Sequence, residues 1–399
     1  LKEKLFEEVG LLLHEGDELG ALKILKELMN DEDPEVKVAS LTVISVIMGK
    51  FRRIIEEAFP QVLRMALQDP HVYVRGNALE LLGKVSFEFP EIVERHVHEV
   101  VSNLSLQDSD LAWNAVVALG WIGGSQPGLI APFIDKIGAG LKSSFEINRI
   151  TSAMALGWIG SIDAELVEKY IPQLLELSKP GEAEEVRLSA IDALASISHG
   201  NALKLEGAVE DLALISVIDE NENIRGSAME AIIEVCKEKS ELARAVASVV
   251  LKNVSLEGGA DWKIVVTLGL IGTGSPEAIP HMIPELLKAL ESRKVSVRAT
   301  ATLAIGWLIG NNPELPEEAA KTAINAVSSL LEDENPEVRR CAVESIGWIS
   351  VNNPQISEEA VSIIEGVLLN ERDERVKLKA EEVIEFMRER IKHFKRQSA

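Results

Sequence analysis

Three things are scarce in this chain, and each scarcity excludes a class of function. Cysteine is the first: Cys236 and Cys341 are the only two in 399 residues. A disulfide framework or a cysteine-ligated metal site is out of reach, and reduced thiols in a cytoplasmic setting are expected. Positive charge is the second. Lys and Arg number 41 against 64 Asp and Glu, a net charge of −23, which argues against nucleic-acid binding, because that affinity comes mostly from neutralising phosphates. The third is any long apolar run: no stretch approaches the roughly 18 uncharged apolar residues of a membrane span. The opening LKEKLFEEVG reads as a charged amphipathic helix rather than a leader.

Catalytic patterns are missing too. Gly123-Gly124-Ser125-Gln126-Pro127-Gly128 lacks the lysine of a phosphate loop and follows a helix, so it reads as a turn. His96 and His98 stand two apart on a helix and point away from one metal. Nothing selects a pair of carboxylates in contrasting environments, as acid–base chemistry needs. No cofactor and no metal are expected.

What the chain has in abundance is one phrase, Val/Ile-Arg/Lys-x-x-Ala-x-x-x-Leu/Ile, often followed by Gly and then Trp-Ile. Its first position recurs at Val36, Val74, Leu111, Asn148, Val186, Ile224, Ala260, Val297, Val338 and Val376, in steps of 36 to 41 residues. A fixed period in that range marks a solenoid of stacked helical units rather than a globular enzyme domain. In the phrase, Val, Ala at +4, Leu at +8 and Ile at +11 fall on one stripe of a helix, which is core. Asp69-Pro70 separates two helices, and Asp33-Pro34 and Asn335-Pro336 punctuate their copies the same way. Phe59-Pro60 is expected to open the first helix of its copy, and Pro132, Pro172 and Pro284 to mark first helices elsewhere.

These residues resemble the HEAT-repeat family, over roughly residues 17 to 390. The resemblance implies an all-α fold, a right-handed α-α superhelix (a HEAT-type solenoid) of about ten helical hairpins, with second helices on the concave side. It also implies a ladder between an inter-helix Asp and the second-helix base. The matching bases are Lys37, Arg75, Arg149, Arg187, Arg225, Arg298, Arg339 and Lys377; the matching acids are Asp33, Asp69, Asp110, Asp219, Asp333 and Asp373. Family members are mostly scaffolds, adaptors and transport receptors. One array is expected across 1–399, with a capping helix at 1–16, repeats at 17–374, and a final helix with a basic tail at 375–399. At about 10 Å per layer the body would be ~90 Å long and curved. The tail residues Arg388, Arg390, Lys392, Lys395 and Arg396 suit a helix end; docking of an acidic partner is the alternative.

The departures from the phrase are the functional candidates. Ala112 and Asp261 stand where a base belongs, each followed by a tryptophan, and Trp-x-x-Val-Val-x-Leu-Gly-x-Ile-Gly is spelled identically from Trp113 and Trp262. The spacing suggests that a four-repeat block was duplicated. Both tryptophans sit at +2, facing away from the core stripe, beside Val117 and Val266, with Met154 and Leu303 on the same face of the following copies. Trp121, Trp158, Trp307 and Trp348 sit at +10, where small neighbours leave room for an indole between repeats. Three readings are open for this face: a groove for a peptide or helix lined by Trp113, Val117, Trp121, Met154, Trp158, Trp262, Val266, Leu303 and Trp307; tight winding of inner helices; or contact with another copy. The expected function is a non-catalytic, protein-binding scaffold or adaptor whose partner is basic if acidic ridges steer it. A subunit embedded in a larger complex or homo-oligomer is the alternative, and a concave-face enzyme comes third.

Overall fold

The computed structural model describes residues 2–102, 109–255, 259–351 and 354–397, without the side chains of 2, 3, 102, 109–113, 354, 355, 394, 395 and 397. Two compact units emerge, Leu1–Lys204 and Leu205–Ala399. The second helices of the repeats are α1 (Pro34–Ile47), α2 (Val72–Glu88), α3 (Ser109–Gly123), α4 (Glu146–Gly160) and α5 (Glu184–Asn201) in the first unit. In the second they are α6 (Glu222–Glu238), α7 (Trp262–Gly274), α8 (Val295–Gly310), α9 (Pro336–Ser350) and α10 (Glu374–Gln397). Among the described residues there is no strand, only an isolated bridge between Pro180 and Glu182. Each unit is thus a stack of helical hairpins, of the all-α superhelical repeat class.

The stripe from the phrase is the core. Val74, Ala78, Leu82 and Val85 are wholly buried, as are Ile224, Ala228, Ile232 and Val235. Nine of the ten second helices begin two residues before the recurring position; α7 begins two residues after it. Asp261 explains the delay. Its carboxylate caps α7 by accepting from Lys263 N–H at 3.2 Å and also accepts from Ser255 N–H at 3.0 Å. An acid at the base position therefore moves the helix start, because an N-cap residue cannot itself be helical.

The prolines do something beyond expectation at three places. The helix Arg52–Gln68 runs straight through Pro60 instead of starting after it. An interior proline costs about 3 kcal/mol through a lost N–H and a clash with the preceding turn. Burial of Ile55, Phe59, Val62 and Leu63 offsets that cost. Asp33 and Asn335 are not merely stops: each side chain caps the next helix, with proline at its first turn.

The expected charge ladder is built in part, and several of its bases have a second task in their own turns. Arg298 grips Asp333 with two bonds of 2.7 and 2.9 Å and also donates to the carbonyl of Ser292 in its own turn at 2.8 Å. Lys37 pairs with Asp69 at 2.6 Å. Arg75 and Arg225 donate to the turn carbonyls of Asp69 and Asp219. Two acids are glutamates that the pattern missed: Glu182 receives Arg149 at 3.1 Å, and Glu371 receives Arg339 at 2.7 and 2.8 Å. Lys377 pairs with Glu374 in its own helix, and the side chain of Asp110 lies outside the described residues. The Arg339 guanidinium, with the N–H groups of Asp373 and Arg372, holds the Glu371 carboxyl down at about 2 from an ordinary 4.5. A depressed carboxylate stabilises the fold fully above its unfolded value and ceases to do so as pH falls through the folded one. The stability advantage of wild type over Glu371→Gln should therefore be largest at pH 7 and shrink between about pH 4.5 and 2. Urea midpoints of both proteins across that range check it.

Candidate functional site

The indole ridge grows from the Leu-Gly-Trp wording. A Cβ added at Gly83 would lie 2.7 Å from the Trp121 ring, one at Gly120 2.9 Å from Trp158, and one at Gly269 2.4 Å from Trp307. The +9 glycine of one repeat is thus the seat for the +10 indole of the next, and any side chain there would unseat it. The rings then meet each other. Trp121 and Trp158 lie 5.1 Å apart at 32° in the first unit. In the second, Trp348 meets Trp307 at 6.0 Å and Trp262 at 6.2 Å, both edge-on. Such pairs contribute ~0.5–1.5 kcal/mol each beyond burial.

Packing does not use up the rings. Trp121 remains 39% exposed and Trp262 45%, with Leu270, at +10 of the same repeat as Trp262, at 41%. The small +9 residues leave a groove in each unit. That of the first, about 410 Å³, runs past Lys84, Phe87, Trp121 and Trp158 over Gly83 and Gly120. That of the second, about 530 Å³, runs past Trp307, Trp348, Val351 and Phe386, with Glu344, Glu382 and Lys379 along its side.

The proposed lining residues divide accordingly. Trp121, Met154 and Trp262 are exposed, and Trp158, Val266 and Trp307 half-buried. Leu303 is fully buried and Val117 nearly so; neither can line a groove, because α3 and α8 pack against their neighbours along the +6 position. The side chain of Trp113 lies outside the described residues. Sequence reasoning left out Phe87, Trp348 and Phe386. Phe386 stands at +10 of the last repeat, the column that carries the tryptophans, so its position was the available signal.

The remaining polar chemistry is structural. His96 packs on Phe59 and His98 on Phe133, with ring centres 5.3 and 5.5 Å apart. Burial pushes the thiols of Cys236 and Cys341 up to about 12, so both stay protonated. No cluster of His, Cys, Asp or Glu among the described residues could hold a metal ion, and no described helix is long and apolar enough to cross a membrane. A separate apolar cleft of about 430 Å³ opens between the helices Ile279–Leu290 and Glu317–Ser328, lined by Ile283, Leu287, Leu315 and Pro316.

A stack of hairpins with capped turns, an Arg-acid ladder and a ridge of second-helix side chains defines an α-solenoid. The family model for HEAT repeats matches residues 283–385, so that stretch carries HEAT repeats, and the rest of the chain repeats the same phrase. It is similar to a solved mutant of Kap121p, at 13% identity with a TM-score of 0.62, over 97% of this chain and 43% of that one. This chain thus spans under half the length of that relative. An engineered protein of a structural genomics consortium aligns at 20% identity and a TM-score of 0.44, over 92% of this chain and 98% of that one. Comparison with curated proteins finds no match. HEAT solenoids are typical of protein-interaction scaffolds.

Proposed function

We propose that this chain is a non-catalytic scaffold or adaptor, one cytoplasmic repeat array across 1–399, that captures a peptide or helix of a partner protein on its tryptophan-lined face. The observation that carries the reading is the exposure of Trp121 and Trp262 on ridges whose other members are apolar. Tryptophan is enriched at binding hot spots, and exposed apolar surface rimmed by charge marks interaction sites. The shifted carboxylates do not suggest catalysis: Glu371 and Asp373 are both held near 2 by arginines, firmly ionised rather than poised to exchange protons.

The test compares the intact chain with the Trp121→Ala/Trp262→Ala variant in affinity capture from an extract of the source organism. Because both rings are more than a third exposed, the variant should keep its circular dichroism. It should also lose the captured partner, since a single hot-spot residue is worth ~2–4 kcal/mol. A partner held equally by both proteins would place the binding surface elsewhere, and the cleft at Ile283 and Leu315 would be examined next.

A further inference from the structure

The +6 position of the second helices follows its own pattern. It reads Thr42, Glu80, Val117, Met154 and Asp192 in the first unit, and Glu230, Val266, Leu303, Glu344 and Glu382 in the second. In each unit two apolar copies stand between carboxylates, and no copy carries a base. The apolar copies are those whose repeats bring Trp121 and Trp158, or Trp262 and Trp307, to the ridge. Glu80, Asp192, Glu230 and Glu382 are exposed. Glu80 and Glu382 have lysine neighbours at 2.8 Å on their own helices, Lys84 and Lys379. Exposed pairs of that kind are worth at most about 1 kcal/mol, so an incoming cation can compete for or share these carboxylates. Glu344 is held by Arg340 at 2.8 Å and stays within the wall of the groove.

We infer that each unit takes a segment of partner chain with an apolar middle and Lys or Arg at both ends, so that one scaffold molecule holds two such segments. The inference rests on the tryptophan-face reading and adds polarity and number to it. The apolar middle lies against the indoles. The basic ends lie against Glu80 and Asp192 in the first unit, and against Glu230 and Glu382 in the second. A segment with acidic ends is rejected, because like charges oppose it where both flanks are desolvated. Acids flank the indoles in both units, with the Arg340-bound Glu344 standing between Leu303 and Glu382 in the second, so the two sites share one polarity while the second spans one more repeat.

The test is selection from a displayed library of random 16-residue peptides against the full chain, followed by calorimetry of the enriched peptides. The expected result is enrichment of Lys and Arg on both sides of an apolar centre, with two peptides bound per chain. Glu80→Gln/Asp192→Asn should weaken one of the two sites about tenfold at low salt, and the difference should shrink at 0.5 M salt as the charges are screened. Enriched peptides without basic ends that still depend on Trp121 and Trp262 would overturn the inference and leave the binding face standing. Failure to enrich any peptide, or enrichment of peptides indifferent to the Trp121→Ala/Trp262→Ala variant, would remove both. One peptide per chain would refute the two-site count.

Discussion

Arg298→Ala should cost the second unit about 3–5 kcal/mol, the largest loss expected from a single side chain outside the apolar core. Arg298 and Asp333 are both nearly buried, with side chains 9% and 7% exposed. Three bonds depend on the guanidinium: two to Asp333 and one to the Ser292 carbonyl. Its removal leaves a carboxylate and a turn carbonyl without their partner in a poorly solvated place. The hydrogen bonds to Asp333 raise the Arg298 pKa, so the folded state favours the charged guanidinium. A double variant, Arg298→Met/Asp333→Leu, should recover most of the loss, since apolar residues of similar volume often replace buried ion pairs at little cost. Urea unfolding followed by the fluorescence of Trp307 and Trp348, in the same unit, checks both. A loss under about 1 kcal/mol for Arg298→Ala would mean that the ladder decorates the stack rather than holding it.

Gly157→Val should cost about 2–3 kcal/mol in the first unit, although glycine is a poor helix former. Within a helix, exchanging Gly for a residue with a side chain ordinarily stabilises by up to ~1 kcal/mol. At Gly157 a Cβ would lie 2.8 Å from the Cα of Ala193 and 3.1 Å from its Cβ. Backbone cannot rotate out of the way, so α4 and α5 must separate. Gly76 in α2 is the control: nothing lies within 4 Å of its added Cβ, and Gly76→Ala should stabilise by ~0.5–1 kcal/mol. Opposite signs at two glycines inside second helices, one in close approach and one in open space, would show that close helix approach, rather than propensity, requires the glycine of the Leu-Gly word. Thermal melts of both variants suffice, and equal signs would contradict it.

The fold was legible in the sequence because the repeat phrase encodes burial directly. Val, Ala, Leu and Ile at fixed spacing can form only one apolar stripe, and ten copies need one another to cover it. The ladder was legible in part. Asp69 and Asp333 stand at the expected places, but Glu182 and Glu371 reach the same guanidinium position from other turn residues with one more methylene. The helix through Pro60 was not legible, since the burial that offsets the proline comes from the helices packed on it, α2 above all. On the candidate face, exposure was legible at some positions and not at others. Position +2 did put Trp262 on the surface. Helical angle alone cannot say whether a neighbouring repeat covers the same face, and α7 and α9 bury Leu303 completely. Glycine at +9 was visible as a word, yet its role as the seat of the next repeat's indole is a tertiary fact.

Site-directed photo-crosslinking tests the central claim most directly. A photoreactive residue is placed at Leu270 on the tryptophan ridge, and separately at Ile283 in the cleft between first helices, and each protein is irradiated with its captured partner. The account predicts a crosslink from Leu270 and none from Ile283. A crosslink from Ile283 alone would contradict it and move recognition to the opposite layer of the stack.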